Sequence, residues 1–167
     1  MSDDSPEAFI HRLQPKAKEY NGFNLIVAHG LDIWFYSNHE DRKEKLENGI
    51  FGLCNASLDT PWPKVQEIKA GLQAEIKASN PEKENLYNIL FNKHQADDDQ
   101  LPDTGVGKDW EKKLSSIFIE SENYGTRCST ILTLDNAGTL YFREKTFPVG
   151  GSKPMEVEQN FPDFAQL

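Results

Sequence analysis

Phe23-Asn24-Leu25-Ile26-Val27-Ala28-His29-Gly30-Leu31-Asp32-Ile33-Trp34-Phe35-Tyr36-Ser37 is the stretch that decides the fold. Two apolar, β-prone runs, Phe23 to His29 and Ile33 to Ser37, flank Gly30-Leu31-Asp32. Their length and the turn chemistry between them predict a β-hairpin. The first run shows no clean alternation, which predicts a strand covered on both faces. A second hairpin is predicted from Thr130 to Asp135 and Thr139 to Thr146, turned by Asp135-Asn136-Ala137-Gly138. Helical patterns fill the space between. Hairpins separated by helices argue for an α+β protein in which antiparallel sheets are layered with helices.

Upstream of the first hairpin, Ser5-Pro6-Glu7 reads as a helix start, with serine at the cap and proline in the first turn. Phe9, Ile10, Leu13 and Ala17 fall at helical spacing as far as Tyr20, although Pro15 threatens to kink or split the segment. Downstream, Glu40 to Glu47 reads as a charged loop or short helix, Asn48-Gly49 as a turn, and Ile50 to Asn55 as a short strand. Asp59-Thr60-Pro61-Trp62-Pro63 opens a helix capped by Asp59 or Thr60, with Val65, Ile68, Leu72 and Ile76 as its buried stripe. A second helix, starting near Ser79-Asn80-Pro81, pairs antiparallel with it. Residues 95–108, with Asp97-Asp98-Asp99, Pro102, Gly105 and Gly107, read as a mobile acidic surface loop. Trp110, Leu114 and Ile117 predict a short helix. The tail over 148–167 reads as irregular apart from one short strand at Met155 to Glu158.

Composition narrows the function classes. A chain of 167 residues is consistent with one domain, and 27 acidic against 18 basic residues leave a net charge of −9. Nucleic acid and anionic membrane surfaces are bound through clustered Lys and Arg, so neither is an expected partner. No apolar stretch is long enough to span a bilayer. The acidic start has no apolar signal region, and two cysteines, Cys54 and Cys128, make no disulfide framework. A reducing, cytoplasmic setting is the expectation.

Metal chemistry finds little support. The three consecutive aspartates lack the further ligands and the glycine of a calcium loop, so a solvated loop is the better reading. His11, His29, His39 and His94 are scattered, with no pair at ligand spacing. Arg127, in Tyr124-Gly125-Thr126-Arg127-Cys128, presents a planar fork of donors that suits a carboxylate or phosphate, or else a structural ion pair. In Gly52-Leu53-Cys54-Asn55-Ala56-Ser57-Leu58-Asp59-Thr60-Pro61-Trp62-Pro63-Lys64-Val65, a strand end passes through a turn into a helix. There Asn55 is placed to donate into a cleft as an oxyanion-stabilising group does, although Asn and Asp are also ordinary turn residues.

Three segments, Tyr20-Asn21-Gly22-Phe23-Asn24-Leu25, Gly52 to Val65 and Tyr124 to Phe147, together resemble the transport and Golgi organisation protein family, also called the NRDE family. The likeness runs through nearly the whole chain in order. The departures are Cys54 where serine is usual and Glu144-Lys145-Thr146 at the last motif. Members begin Met-Cys and carry Asn-Arg-Asp-Glu in their first third, which this sequence does not have. The resemblance therefore implies a partial domain over 1–167 that lacks the family's N-terminal third. It also implies a fold similar to the N-terminal nucleophile hydrolases, with two sheets between helical layers (αββα).

On that resemblance, Asn55 and Arg127 flank a ligand cleft together with Cys54 and Asp59, and the nucleophile lies outside the chain. The function implied is non-enzymatic: handling of haem or a lipid metabolite, with a role in Golgi and secretory organisation. Haem would be cargo, with His29, His39 or Cys54 as candidate contacts, and association with Golgi or mitochondria is expected. The alternatives are an amide hydrolase of the N-terminal nucleophile type and a protein-interaction module. Open sheet edges imply self-association.

Overall fold

The computed structural model describes residues 4–78, 82–148, 153–162 and 164. Helix α1, Pro6–Leu13, begins where Ser5 Oγ accepts the Ala8 N–H (3.2 Å). Pro15 cannot donate to the helical ladder, and the chain tightens into a 3-10 segment, Gln14–Glu19. The expected single helix to Tyr20 is thus split at its proline. Ile10 and Ala17 are fully buried against Tyr36, with Leu13, Phe23, Val27 and Trp34 around them.

Strands β1, Asn24–His29, and β2, Asp32–Ser37, form the hairpin, in register from Asn24↔Ser37 to His29↔Asp32. Gly30 supplies the positive φ (56°) at its tip. A third strand, β3, Arg42–Lys45, pairs with β2, so the charged segment is neither loop nor helix. Its cationic side chains lie across aromatic neighbours, Arg42 over Phe35 and Lys43 over Trp34, each 5.8 Å from the ring centre, while Lys45 pairs with Asp32 (2.9 Å). The apolar stems of these residues cover β2 while their charges stay wet. The strand order β1-β2-β3 leaves β1 at an edge. The expectation that β1 is covered on both faces is therefore corrected. Val27 packs toward α1, whereas Ile26, on the opposite face, is 48% exposed.

Ile50 to Asn55 forms no strand; a single bridge, Leu53↔Leu58, closes a small loop instead. Helix α2, Pro63–Lys77, follows. Its cap is Trp62 rather than Asp59 or Thr60, with no side-chain bond to the free amides. Both side chains are engaged elsewhere: Asp59 Oδ1 accepts the Gly52 N–H (2.8 Å), and Thr60 Oγ1 donates to the Ser57 carbonyl (3.2 Å). Helix α3, Lys83–Leu90, lies antiparallel to α2. Asn92 donates to Glu67 (3.1 Å), Ile89 packs over Gly71, and Asn85 donates to Glu75 (3.2 Å), so contacts recede along one helix as they advance along the other. The predicted α2 stripe is buried at Val65 and fades to exposure at Ile76 (59%). The expected start of the second helix at Ser79-Asn80-Pro81 lies outside the described residues.

Residues 95–107 contain no helix or strand, and hydrogen bonds tie them to helix α4, Lys108–Leu114. Ala96 N–H donates to Ser115 Oγ (3.0 Å), and Asp98 pairs with Lys108 and Lys112 (2.9 Å each). The buried Glu111 accepts both the Thr104 N–H (2.7 Å) and its hydroxyl (2.6 Å).

A second antiparallel sheet has order β4-β5-β6, formed by Cys128–Leu134, Leu140–Thr146 and Met155–Phe161. Asp135 Oδ1 accepts the N–H groups of Ala137 and Thr139 (2.9 Å each), and Gly138 takes the left-handed conformation the turn needs. The expected short strand of the tail is thus β6, which runs to Phe161. Helix α3 meets this sheet through the fully buried Tyr87, whose hydroxyl donates to the Arg143 carbonyl (2.9 Å). Lys145 Nζ and the Arg143 guanidinium stand 4.0 and 4.9 Å from its ring centre, and both pair with Glu84. Burial pushes the Tyr87 phenol up to about 12. Two three-stranded antiparallel sheets with four α-helices among the described residues make the protein α+β.

Tyr87→Phe should cost about 1 kcal/mol by removing the hydroxyl's hydrogen bond to the Arg143 carbonyl, and Tyr87→Ala about 3–5 kcal/mol through the cavity it opens. Urea unfolding of the two variants tests this. Equal, small effects would show that Tyr87 does not anchor α3 to the sheet.

Candidate functional site

The chain bends sharply between the 3-10 segment and β1, and one side chain fixes that bend. Asn38 Oδ1 accepts the Phe23 N–H (2.6 Å), while Asn38 Nδ2 donates to the Ala17 and Asn21 carbonyls (2.9 and 3.1 Å). Its own N–H donates to the Phe23 carbonyl (3.2 Å). Held this way, Gly22-Phe23-Asn24 forms one wall of a cleft.

The opposite wall is the loop over 52–59. Gly52 and Asp59 close it: Asp59 N–H donates to the Gly52 carbonyl (2.6 Å), and Gly52 N–H donates to Asp59 Oδ1 (2.8 Å). Asp59 sits at φ 57°, a left-handed conformation that aspartate tolerates better than most residues. Lys69 of α2 reaches the same carboxylate (2.7 Å). Only glycine fits at position 52, because a Cβ there would lie 2.6 Å from Val65 Cγ1. Asn24 Nδ2 then donates to the Cys54 carbonyl (3.3 Å) and holds the two walls together. Beneath this contact, Asn24 Oδ1 and Ser37 Oγ are buried without partners on adjacent strands.

The result is an open cleft of about 610 Å³, lined by Gly22, Phe23, Asn24, His39 and residues 53–56. The volume lies within the usual range for small-molecule sites, roughly 300–1,000 Å³. Phe23 and Leu53 give it apolar walls. Cys54 Sγ is half-buried and donates to the Ser57 carbonyl (3.5 Å), while Asn55 and His39 are exposed at the rim. Lys64, half-buried nearby, donates to the Leu114 carbonyl (2.8 Å). Burial lowers its pKa below the usual lysine range, and the Cys54 and Glu111 charges oppose that shift.

The structure thus places Cys54, Asn55 and His39 on one cleft. Asp59 lies at the neck of the loop and shapes the wall without lining it. Arg127 is exposed at the start of β4, where its carbonyl accepts the Phe147 N–H (2.7 Å), and it does not line the cleft. His29, exposed at the tip of the first hairpin, does not line it either. Of the two amides that build the site, Asn24 stands in the family-like motif Tyr20 to Leu25, whereas Asn38 belongs to no motif. Their shared signal was only that each stands at a strand end where an amide can bond backbone groups. No cluster of three or more His, Cys, Asp or Glu able to hold a metal ion occurs among the described residues.

The family model for Transport and Golgi organisation 2 matches residues 1–148. A Transport and Golgi organization protein 2 homolog from Bos taurus is 30% identical over 177 residues, covering 98% of this chain and 63% of the relative. The Homo sapiens homolog is 30% identical over 153 residues, covering 83% of this chain and 55% of its own length. Transport and Golgi organization protein 2 of Drosophila melanogaster is 26% identical over 172 residues, 92% of this chain and 60% of its own. The chain therefore spans a little over half the length of these relatives.

Asp59 supplies a pH test of the cleft wall. Burial pushes its carboxyl up, but the Lys69 ammonium and the Gly52 N–H outweigh that and hold it below the usual range. A carboxyl with a depressed folded pKa adds stability above its unfolded value, near pH 4, and loses it as pH falls through the folded value. Asp59→Asn should flatten the acid limb of stability below about pH 4 and lower stability at pH 7 by about 1 kcal/mol. Thermal melts between pH 3 and 7 measure both. An unchanged acid limb would show that the Asp59 charge does not hold the loop.

Proposed function

The chain belongs to the Transport and Golgi organisation 2 family, and from that premise we propose that it is a non-enzymatic handling factor for a hydrophobic metabolite, with haem as its cargo. The observation that carries this reading is the pairing of His39 and Cys54 on one cleft with the apolar side chains of Phe23 and Leu53. Imidazole and thiolate both ligate haem iron, and apolar walls suit the porphyrin faces. The cleft is open and its two candidate ligands are not buried, so cargo would be held transiently and passed on. That is the behaviour expected of a carrier rather than of a haem enzyme.

The names of the relatives suggest a setting in Golgi and secretory organisation, and the absence of a disulfide framework suits the cytoplasm. No helix among the described residues is long and apolar enough to cross a membrane. In this reading the sheets belong to an αββα arrangement similar to N-terminal nucleophile hydrolases, and the cleft is used for binding and not for amide cleavage. Asn55 at its rim would donate to a polar group of the cargo.

Haem titration should give a saturable Soret shift. Cys54→Ser and His39→Ala should each weaken it by roughly tenfold, the effect of losing an iron ligand or its close support, while His29→Ala should leave it unchanged. A titration without saturation, or one indifferent to both substitutions in the cleft, would sink the proposal.

A further inference from the structure

The chain carries 27 acidic against 18 basic residues, yet no residue lining the cleft of Phe23 and Leu53 is acidic. The carboxylates nearest to it are already engaged. Glu40 accepts the Ser57 hydroxyl (2.6 Å) and has Arg42 at 3.9 Å, and Asp59 is held by Gly52 and Lys69. The Lys64 ammonium lies within electrostatic reach of Cys54, and its acidic neighbour Glu111 accepts two bonds from Thr104. The local balance of charge therefore suits an anion, unlike that of the chain as a whole.

What the cleft offers is a set of donors. The N–H groups of Asn55 and Ala56 follow one another along its wall, and neither they nor the Asn55 side-chain amide has a partner among the described residues. His39 lines the same cleft, and its ring keeps an N–H to donate in either tautomer. Adjacent backbone amides and a side-chain amide suit the paired oxygens of a carboxylate, because hydrogen bonds to a charged acceptor are shorter and stronger than neutral ones. The acceptor that could oppose an anion, Asn24 Oδ1, is buried out of its reach.

We propose that Asn55-Ala56 is the anion-recognising rim of the cleft, which takes a cargo with a carboxylate on an apolar body, and that Asn55 selects for the charge. The inference rests on the cleft being the cargo site and adds the chemistry of the cargo's polar end. The apolar body lies on Phe23 and Leu53, while the carboxylate stays at the open mouth, where it keeps part of its hydration. A neutral ester of the same shape loses the charge-assisted bonds and is held less well.

The test compares ferric haem with its dimethyl ester, each titrated into the full chain in the same aqueous dimethyl sulfoxide and read by tryptophan quenching. The ester should bind at least about tenfold more weakly than the free acid, as bonds to a charged acceptor become bonds to a neutral one. Asn55→Asp should weaken the free acid by about tenfold through like-charge repulsion. Asn55→Lys should strengthen it by about threefold, and both variants should change ester binding by less than about twofold. Asn55 is exposed, so the circular dichroism of both variants should match that of the parent. Equal affinities for acid and ester, or an acid affinity indifferent to both Asn55 substitutions, overturn the inference even where Cys54→Ser and His39→Ala still weaken haem. An Asn55-dependent preference for the acid, with no effect of Cys54→Ser or His39→Ala, upholds the carboxylate site and removes iron ligation. Saturation by neither compound overturns both.

Discussion

The Asn38 side chain holds the first half of the molecule in place. Its amide bonds three backbone groups on two sides of a tight bend, and it sits where the hairpin returns to the 3-10 segment. Without it, the Phe23 N–H and the Ala17 and Asn21 carbonyls would lose their partner at the bend. From the strand that starts beyond this bend, Asn24 reaches the Cys54 carbonyl and joins the two walls of the cleft. A side-chain amide suits the position because it both donates and accepts, which no charged residue of similar size does.

The second half depends on a different device. Tyr87 is a buried aromatic with one polar atom, and that atom finds the Arg143 carbonyl. Two cations stand against its ring, and Glu84 balances them from the same helix. This arrangement fixes helix α3, and through it the helix pair, to one face of the second sheet. Phe91, Phe118 and Phe147 extend the contact, with ring centres 5.0–5.2 Å apart. All of this binding is one-sided, and it leaves the other face of the sheet apolar and open.

A chain with a net charge of −9 uses several of its carboxylates as internal latches. Glu111 is buried and closes the 95–107 loop through Thr104, and Asp98 joins the same loop to α4. The two lysines beside Asp98 hold its carboxyl at about 2, and the Lys45 ammonium keeps Asp32 below its usual range. Acidity in this protein is therefore partly structural, and charge counting alone overstates how much of it faces a partner.

Elements with a local cause were legible in the sequence. Ser5-Pro6 starts α1 and Pro15 ends it, Gly30 and Gly138 turn the hairpins, and spacing marks α2 to α4, because capping, φ restriction and periodicity act within a few residues. Elements with a distant cause were not legible. Arg42–Lys45 became a strand because β2 offered an edge lined with aromatic rings. Asp59 was drawn from helix capping into closing a loop by an amide seven residues upstream. Arg127 and Cys54 were grouped by motif, yet one is exposed just before β4 and the other lines a cleft. The sequence by itself determined where the chain turns and which segments can be helix or strand, since those preferences are short-ranged. Only the tertiary structure decided which backbone groups each amide and carboxylate would satisfy, and which sheet face would stay uncovered, because both depend on residues brought together across long stretches of chain.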